Sequence, residues 1–113
     1  MVDVLMLRVL FIGLPALTLA LGIPLASQWV PPNRFYGYRT ATTLSSVEAW
    51  YPINRATGLA LIAAGLISGF LVLFLDQGAI ALKPEPRYIL GILMSGILLL
   101  ISLVPVVLYS SKF

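Results

Sequence analysis

The sequence contains no cysteine and no histidine. Without cysteine the chain has no disulfides, no thiolate metal ligands and no cysteine nucleophile. Without histidine it has no imidazole to bind haem, chlorophyll or zinc, and no side chain with an ordinary pKa near neutrality. The acids number only four and none form an adjacent pair. We therefore expect no catalytic site, no metal and no cofactor, and a protein that is not an enzyme.

Charged residues are also scarce. They make up 10% of the 113 residues, whereas a soluble domain has about 25% charged residues. Hydrophobic residues make up 60%, against about 45–50% in a soluble domain. A soluble fold this small buries too little of its surface to hide so many apolar side chains. The net charge of +3 comes from scattered basic residues, which does not indicate nucleic-acid binding. The composition predicts an integral membrane protein in contact with lipid.

Three long uncharged stretches divide the chain. They contain 25 residues between Arg8 and Arg34, 20 between Arg55 and Asp76, and 24 between Arg87 and Lys112. About 20 apolar residues in a helix cross the roughly 30 Å of hydrocarbon in a bilayer, and only helical backbone satisfies its own hydrogen bonds there. We predict an all-α bundle of three transmembrane helices, in one membrane domain over residues 1–113, with spans at about 4–29, 53–75 and 88–109.

A secretory signal peptide is the competing interpretation of the first stretch. Its apolar part is too long for one, and no convincing small-x-small cleavage site follows it.

The lysines and arginines divide three against four between the two sides of the membrane, which is too even a count to predict an orientation.

Small residues recur on one face of the second and third spans. Such residues let helices approach closely in lipid, where no hydrophobic driving force brings helices together. This pattern favours packing against the other helices of the same chain, with a dimer seam as the alternative. The predicted packing positions are Gly58, Gly65, Gly69, Gly91 and Ser95.

Residues 31–55 form the one sizeable polar segment, with three arginines, one glutamate, two asparagines and five aromatic residues. Ser45-x-x-Glu48 has the spacing of a capping box, which predicts a short interfacial helix starting near Ser46. We expect Trp50 and Tyr51 to lie at headgroup depth. Proline would then kink the chain at position 52, before the second span begins.

The polar residues of this segment resemble a known family. The run Asn-Arg-aromatic-x-Gly-x-Arg-Thr at 33–40, then Glu-x-Trp at 48–50 and Asn-Arg-x-x-Gly at 54–58, is similar to the SdpI family of bacterial membrane proteins. The resemblance implies a three-helix module in the cytoplasmic (inner) membrane, in a family named for immunity to a secreted killing peptide. The longer founding type also sequesters a transcriptional repressor. The chain corresponds to one module, so that second role does not carry over readily.

Two functions remain open from the sequence. In the first, the loop is a binding, immunity or membrane-sensing module that contacts a peptide or lipid headgroups. In the second, the chain is an accessory subunit packed into a larger respiratory or photosynthetic membrane complex, or against itself, with lipid or pigment contacts. The arginines suit bidentate contact with phosphate or carboxylate, but could instead pair with Glu48 and anchor the loop. The candidate contact residues are Asn33, Arg34, Gly37, Arg39, Thr40, Glu48, Trp50, Asn54 and Arg55.

Overall fold

The computed structural model describes residues 3–78 and 80–113, and every regular element within those ranges is a helix. Three helices are long and apolar enough to cross a membrane: α1 (Val4–Ala26), α3 (Val47–Asp76) and α4 (Pro84–Ser110). A single short helix, α2 (Ala41–Ser45), lies in the connection between α1 and α3. The predicted all-α bundle of three membrane helices is therefore confirmed. The short helix of the first loop ends at Ser45, whereas it was predicted to start near Ser46, where α3 begins.

The helix boundaries differ from the predicted spans. The first helix ends three residues early, and the second begins six residues early and includes Pro52. Pro52, in the second turn of α3, lacks the amide that would donate to the Glu48 carbonyl, yet the helix continues through it. The third helix starts at Pro84, a proline at the first helical position, where the missing N–H costs nothing.

The predicted capping box of Ser45 and Glu48 is wrong. Ser45 is the last residue of α2, and its hydroxyl donates to the Thr42 carbonyl at 2.9 Å. The N-cap of α3 is Ser46, which makes no side-chain cap hydrogen bond. With Ser46 as the N-cap, Glu48 is the second residue of the helix, whereas a capping box requires its Glu or Gln at the third.

The central helix of the bundle is α3, which packs against α1, α2 and α4. At one end of the bundle, a buried cluster joins α1, α3 and α4, and there the rings of Phe11 and Tyr88 lie 4.9 Å apart between centroids. At the other end, Ala49 and Ile53 of α3 pack against Val106 of α4. Most other helical faces are exposed leucine, isoleucine, valine and phenylalanine, as lipid-facing helices require.

Small residues lie where helix backbones meet. A Cβ on Gly58 would lie 2.2 Å from the backbone nitrogen of Ala26, and one on Gly65 would lie 2.8 Å from that of Leu19. On α4, a Cβ at Gly91 would collide with the ring of Phe11 at 2.2 Å. These glycines are thus covered by helices of the same chain.

The remaining two predicted packing positions make looser contacts. A Cβ at Gly69 would lie 3.9 Å from the Cβ of Pro15, an ordinary contact distance. The Ser95 side chain is buried and donates back to the carbonyl of Gly91 at 2.9 Å. Between Pro15 and Gly69 the α1–α3 seam opens into a shallow apolar groove.

Candidate functional site

The loop between α1 and α3 is anchored on the first two turns of α3. Asn54 is buried there, and its Oδ1 accepts a hydrogen bond from the Tyr38 amide at 2.6 Å. Its Nδ2 donates to the carbonyls of Trp50 at 3.0 Å and Tyr38 at 3.3 Å. Trp50 is fully buried and its Nε1 donates to the Val30 carbonyl at 2.8 Å. Two side chains of α3 therefore hold the backbone of the loop at Val30, near its start, and at Tyr38, near its middle.

Trp50, predicted at headgroup depth, is covered by protein. Its side chain contacts the loop and not lipid, because its exposure is 0%. The exposed tryptophan at this end of the bundle is Trp29, just beyond α1, with 71% exposure.

Gly37 is required where the loop crosses this anchor. Its φ of +121° belongs to a region that favours glycine. A Cβ at this position would also lie 2.7 Å from Oδ1 of Asn54 and 3.1 Å from the indole of Trp50. The backbone of the loop thus lies directly on the two anchoring side chains.

Asn33 fixes the turn that precedes Gly37. Its Oδ1 accepts from the amides of Phe35 at 2.8 Å and Tyr36 at 2.7 Å. Its Nδ2 donates to the carbonyls of Pro31 at 2.8 Å and Tyr36 at 3.1 Å. Four hydrogen bonds from one side chain make an Asx-type turn with a defined backbone.

Thr40 and Thr43 form the capping box of α2. Thr40 accepts from the Thr43 amide at 3.2 Å, and Thr43 Oγ1 accepts from the Thr40 amide at 2.8 Å. The fully buried Thr43 also donates to the Tyr38 carbonyl at 2.9 Å. The pattern of Ser or Thr with Glu or Gln three residues later does not include this box, because here the third residue contributes a hydroxyl.

Two tyrosines tie the loop to the other membrane helices. The Tyr36 hydroxyl donates to the carbonyl of Leu21 in α1, and burial raises the pKa of this phenol. The Tyr38 hydroxyl lies 3.0 Å from Oγ of Ser110 in the last turn of α4. The sequence indicated an aromatic-rich turn here but not these partners, which are distant along the chain.

The charged members of the motif face outward. Arg34, Arg39, Glu48 and Arg55 are all exposed. One guanidinium nitrogen of Arg39 donates to the carbonyl of Arg34, which leaves its other donors free. Beside them, Phe35 is 90% exposed at the tip of the turn.

The predicted contact residues therefore separate into two groups. The first builds the loop from within and comprises Asn33, Gly37, Thr40, Trp50 and Asn54. The second is the outer surface of the loop and comprises Arg34, Arg39, Glu48 and Arg55, which we call the charged surface.

The arginines of the charged surface do not pair with Glu48. Within residues 3–78 and 80–113 the ion pair present is Arg8 with Asp76, 3.7 Å apart, at the opposite end of the bundle. The alternative in which Glu48 neutralises the loop arginines is therefore not supported. The structure presents these cations to solvent or to another molecule.

Comparison with known proteins agrees with the motif. The model of the SdpI/YfhL protein family matches residues 30–110, well over half of the chain. The chain belongs to this family. The match covers the loop, α3 and α4 and leaves α1 outside it. Neither the curated proteins nor the solved structures contain a match to this SdpI/YfhL chain.

Proposed function

We propose that this SdpI/YfhL protein is a non-enzymatic binding module of the bacterial cytoplasmic membrane that protects the cell against a membrane-active peptide. The observation that carries the proposal is the exposure of Phe35 beside two arginines on a loop whose backbone is held from below. Family membership supports the protective role. The three membrane helices support the location.

The tip of the loop suits a ligand with an apolar and an acidic part. Phe35 is exposed over 90% of its surface, although a phenyl ring in water is unfavourable by hydrophobic transfer. Arg34 and Arg39 flank it and are exposed. A guanidinium binds carboxylate through two parallel hydrogen bonds. A peptide with an apolar side chain next to an acidic group would cover the Phe35 ring and bind the guanidinium groups of the two arginines.

The rigid backbone of the loop supports binding because little order has to be gained on contact. Asn33 makes four hydrogen bonds within the turn, and Asn54 makes two to the backbone of Tyr38, next to Gly37. Preorganised loops lose less conformational entropy when a ligand binds. The internal residues of the motif thus support the outer ones.

A deletion strain tests this function. We expect the strain to become sensitive to a secreted peptide from its own or a neighbouring culture, and the wild-type gene to restore resistance. Phe35→Ala and Arg39→Ala should each fail to restore it. Lys83→Ala, at the opposite end of the bundle, is the matched control and should restore it fully. Membrane abundance of each variant is measured by immunoblot.

Two outcomes would contradict the proposal. One is unchanged sensitivity of the deletion strain to peptide-producing cultures. The other is purification of the chain in mild detergent as a stoichiometric part of a large complex, which would instead identify an accessory subunit.

A further inference from the structure

The charges of the chain are distributed unequally between the two ends of the bundle. The end that carries the loop, which we call the loop end, has four basic residues against one acid: Arg34, Arg39, Arg55 and Lys112 against Glu48. The opposite end has three of each: Arg8, Lys83 and Arg87 against Asp3, Asp76 and Glu85. The whole formal charge of +3 therefore lies at the loop end.

Ion pairing of the basic residues increases this difference. At the opposite end, Arg8 pairs with Asp76 at 3.7 Å, whereas Lys83 and Arg87 form no ion pair within the described residues. At the loop end Arg34, Arg39, Arg55 and Lys112 are exposed, and within the described residues none of them forms an ion pair. Arg39 and Arg87 each donate one hydrogen bond to a backbone carbonyl. In the described part of the chain, four basic residues without an ion pair thus lie at the loop end and two at the opposite end.

Helix length sets the depth of one of these cations. Arg55 and Asp76 are 21 residues apart on α3, which is about 32 Å at 1.5 Å per residue. Tyr88 and Tyr109 are separated by the same number of residues on α4. A hydrocarbon core is about 30 Å thick. Asp76 at one boundary therefore places the Arg55 backbone at the other, from which its long side chain reaches the lipid phosphates.

The part of α3 that precedes Arg55 stands outside the hydrocarbon. It covers two turns, from Val47 to Asn54, and carries the loop on Trp50 and Asn54. Arg34 and Arg39 therefore lie on the water side of Arg55, within the headgroup region or above it. Free guanidinium groups at two levels match a layer of phosphates better than they match a single buried anion.

We infer that the loop end is a binding surface for the phosphates of anionic lipids and faces the more anionic leaflet, with Arg55 at phosphate depth. The cytoplasmic leaflet attracts basic segments beside a membrane helix, by about 1 kcal/mol for each Lys or Arg. This inference does not depend on the protective function, which rests on Phe35. With the loop end at the cytoplasmic face, that function requires a membrane-active peptide that has reached the inner leaflet.

The two tryptophans of the chain allow a direct test, since both lie at the loop end. Trp29 is 71% exposed and Trp50 is fully buried. In phosphatidylcholine bilayers, phosphatidylglycerol brominated near the headgroup should quench Trp29 more than brominated phosphatidylcholine does. Arg55→Gln should lower that preference by up to about fivefold, the ratio that corresponds to 1 kcal/mol. Lys83→Gln, the control at the opposite end, should keep it.

Three results would overturn the lipid assignment. The first is equal quenching by the two lipids, and the second is an equal effect of Arg55→Gln and Lys83→Gln. The third is loss of the preference when inorganic phosphate replaces chloride at equal ionic strength, which would indicate a site for free anions. If Arg55→Gln does not fold, the wild-type preference should still fall at high salt, because salt screens exposed charges.

The absence of cysteine allows a test of orientation. We expect a single cysteine at Gln77→Cys, at the opposite end, to react with an impermeant maleimide added to spheroplasts. A single cysteine at Ser45→Cys, in α2, should react only in inverted vesicles. The reverse pattern, or equal labelling at both positions, would overturn the inferred orientation. Loss of protection by Phe35→Ala with unchanged lipid preference would separate this surface from the proposed peptide site.

Discussion

Asn54 and Arg55 are neighbours in sequence, yet the structure gives them opposite surroundings. Asn54 is 2% exposed and makes three hydrogen bonds to backbone groups, whereas Arg55 is exposed. An amide can donate and accept at once, so a buried asparagine can pair both the N–H and the C=O of Tyr38. The guanidinium carries a permanent charge and stays at the surface. Structural support and the proposed binding are thus divided between adjacent side chains.

Asn54→Ala should destabilise the protein. It leaves the partly buried Tyr38 amide without its acceptor, at a cost of about 1–3 kcal/mol. Asn54→Asp keeps the shape of the side chain but cannot donate to two carbonyls, and we expect at least as large a loss. Thermal unfolding in detergent, followed by near-UV circular dichroism of Trp50, measures both. Gln77→Ala, an exposed control, should leave the midpoint unchanged, and an equally unchanged midpoint for Asn54→Ala would contradict this role.

At the scale of helices, glycines that are alike in sequence have different surroundings. Gly58 lies against the backbone of α1, and a Cβ there would be 2.2 Å from Ala26 N and 2.6 Å from Gly22 O. Backbone atoms of a packed helix cannot move aside as a flexible side chain can. Gly96 of α4 has no atom within 4 Å of the corresponding position. The α1–α3 contact therefore depends on some glycines and not on others.

Gly58→Ala should separate α1 from α3 and cost about 1–3 kcal/mol, the usual range for overpacking. Gly96→Ala makes the same chemical change in an open position and should cost nothing, since alanine favours a helix over glycine. Midpoints of thermal unfolding in the same detergent compare the two variants. Equal midpoints for the two would mean that the close approach at Gly58 does not stabilise the bundle.

At the scale of the whole molecule, the chain is 49 Å along its longest axis, which exceeds a hydrocarbon core of about 30 Å. The excess lies at the loop end, where the start of α3 and the loop form a polar cap. Two separations of 21 residues, Arg55 to Asp76 and Tyr88 to Tyr109, define an apolar band of about 32 Å. The molecule therefore has a preferred bilayer thickness and a preferred depth.

Stability should depend on bilayer thickness. In a series of phosphatidylcholines of increasing chain length, we expect the unfolding midpoint to be highest near a hydrocarbon thickness of about 30 Å and to fall on either side. Each ångström of mismatch should cost a fraction of a kcal/mol. A midpoint that rises steadily with thickness would show that Arg55 and Asp76 do not mark the two boundaries.

The sequence by itself determined the three spans, the class of protein and the family. These follow from local properties, because an uncharged stretch of 20 residues has only one way to satisfy its backbone in lipid. The polar motif was also visible, and so was the identity of its residues. The exact starts of the helices were not visible in the sequence. Ser45 and Ser46 have similar capping chemistry, and the choice between them depends on how α2 packs against α3.

Only the tertiary structure decided which motif residues turn inward. The bond between Tyr38 and Asn54 joins residues 16 apart, and the contact between Tyr38 and Ser110 joins residues 72 apart. Such pairs depend on the path of the whole chain and not on any local pattern. The same holds for Gly58 and Gly96, whose difference is set by the presence or absence of a neighbouring helix. In lipid, helix formation is a local requirement, whereas burial of polar and small residues is settled by packing between helices.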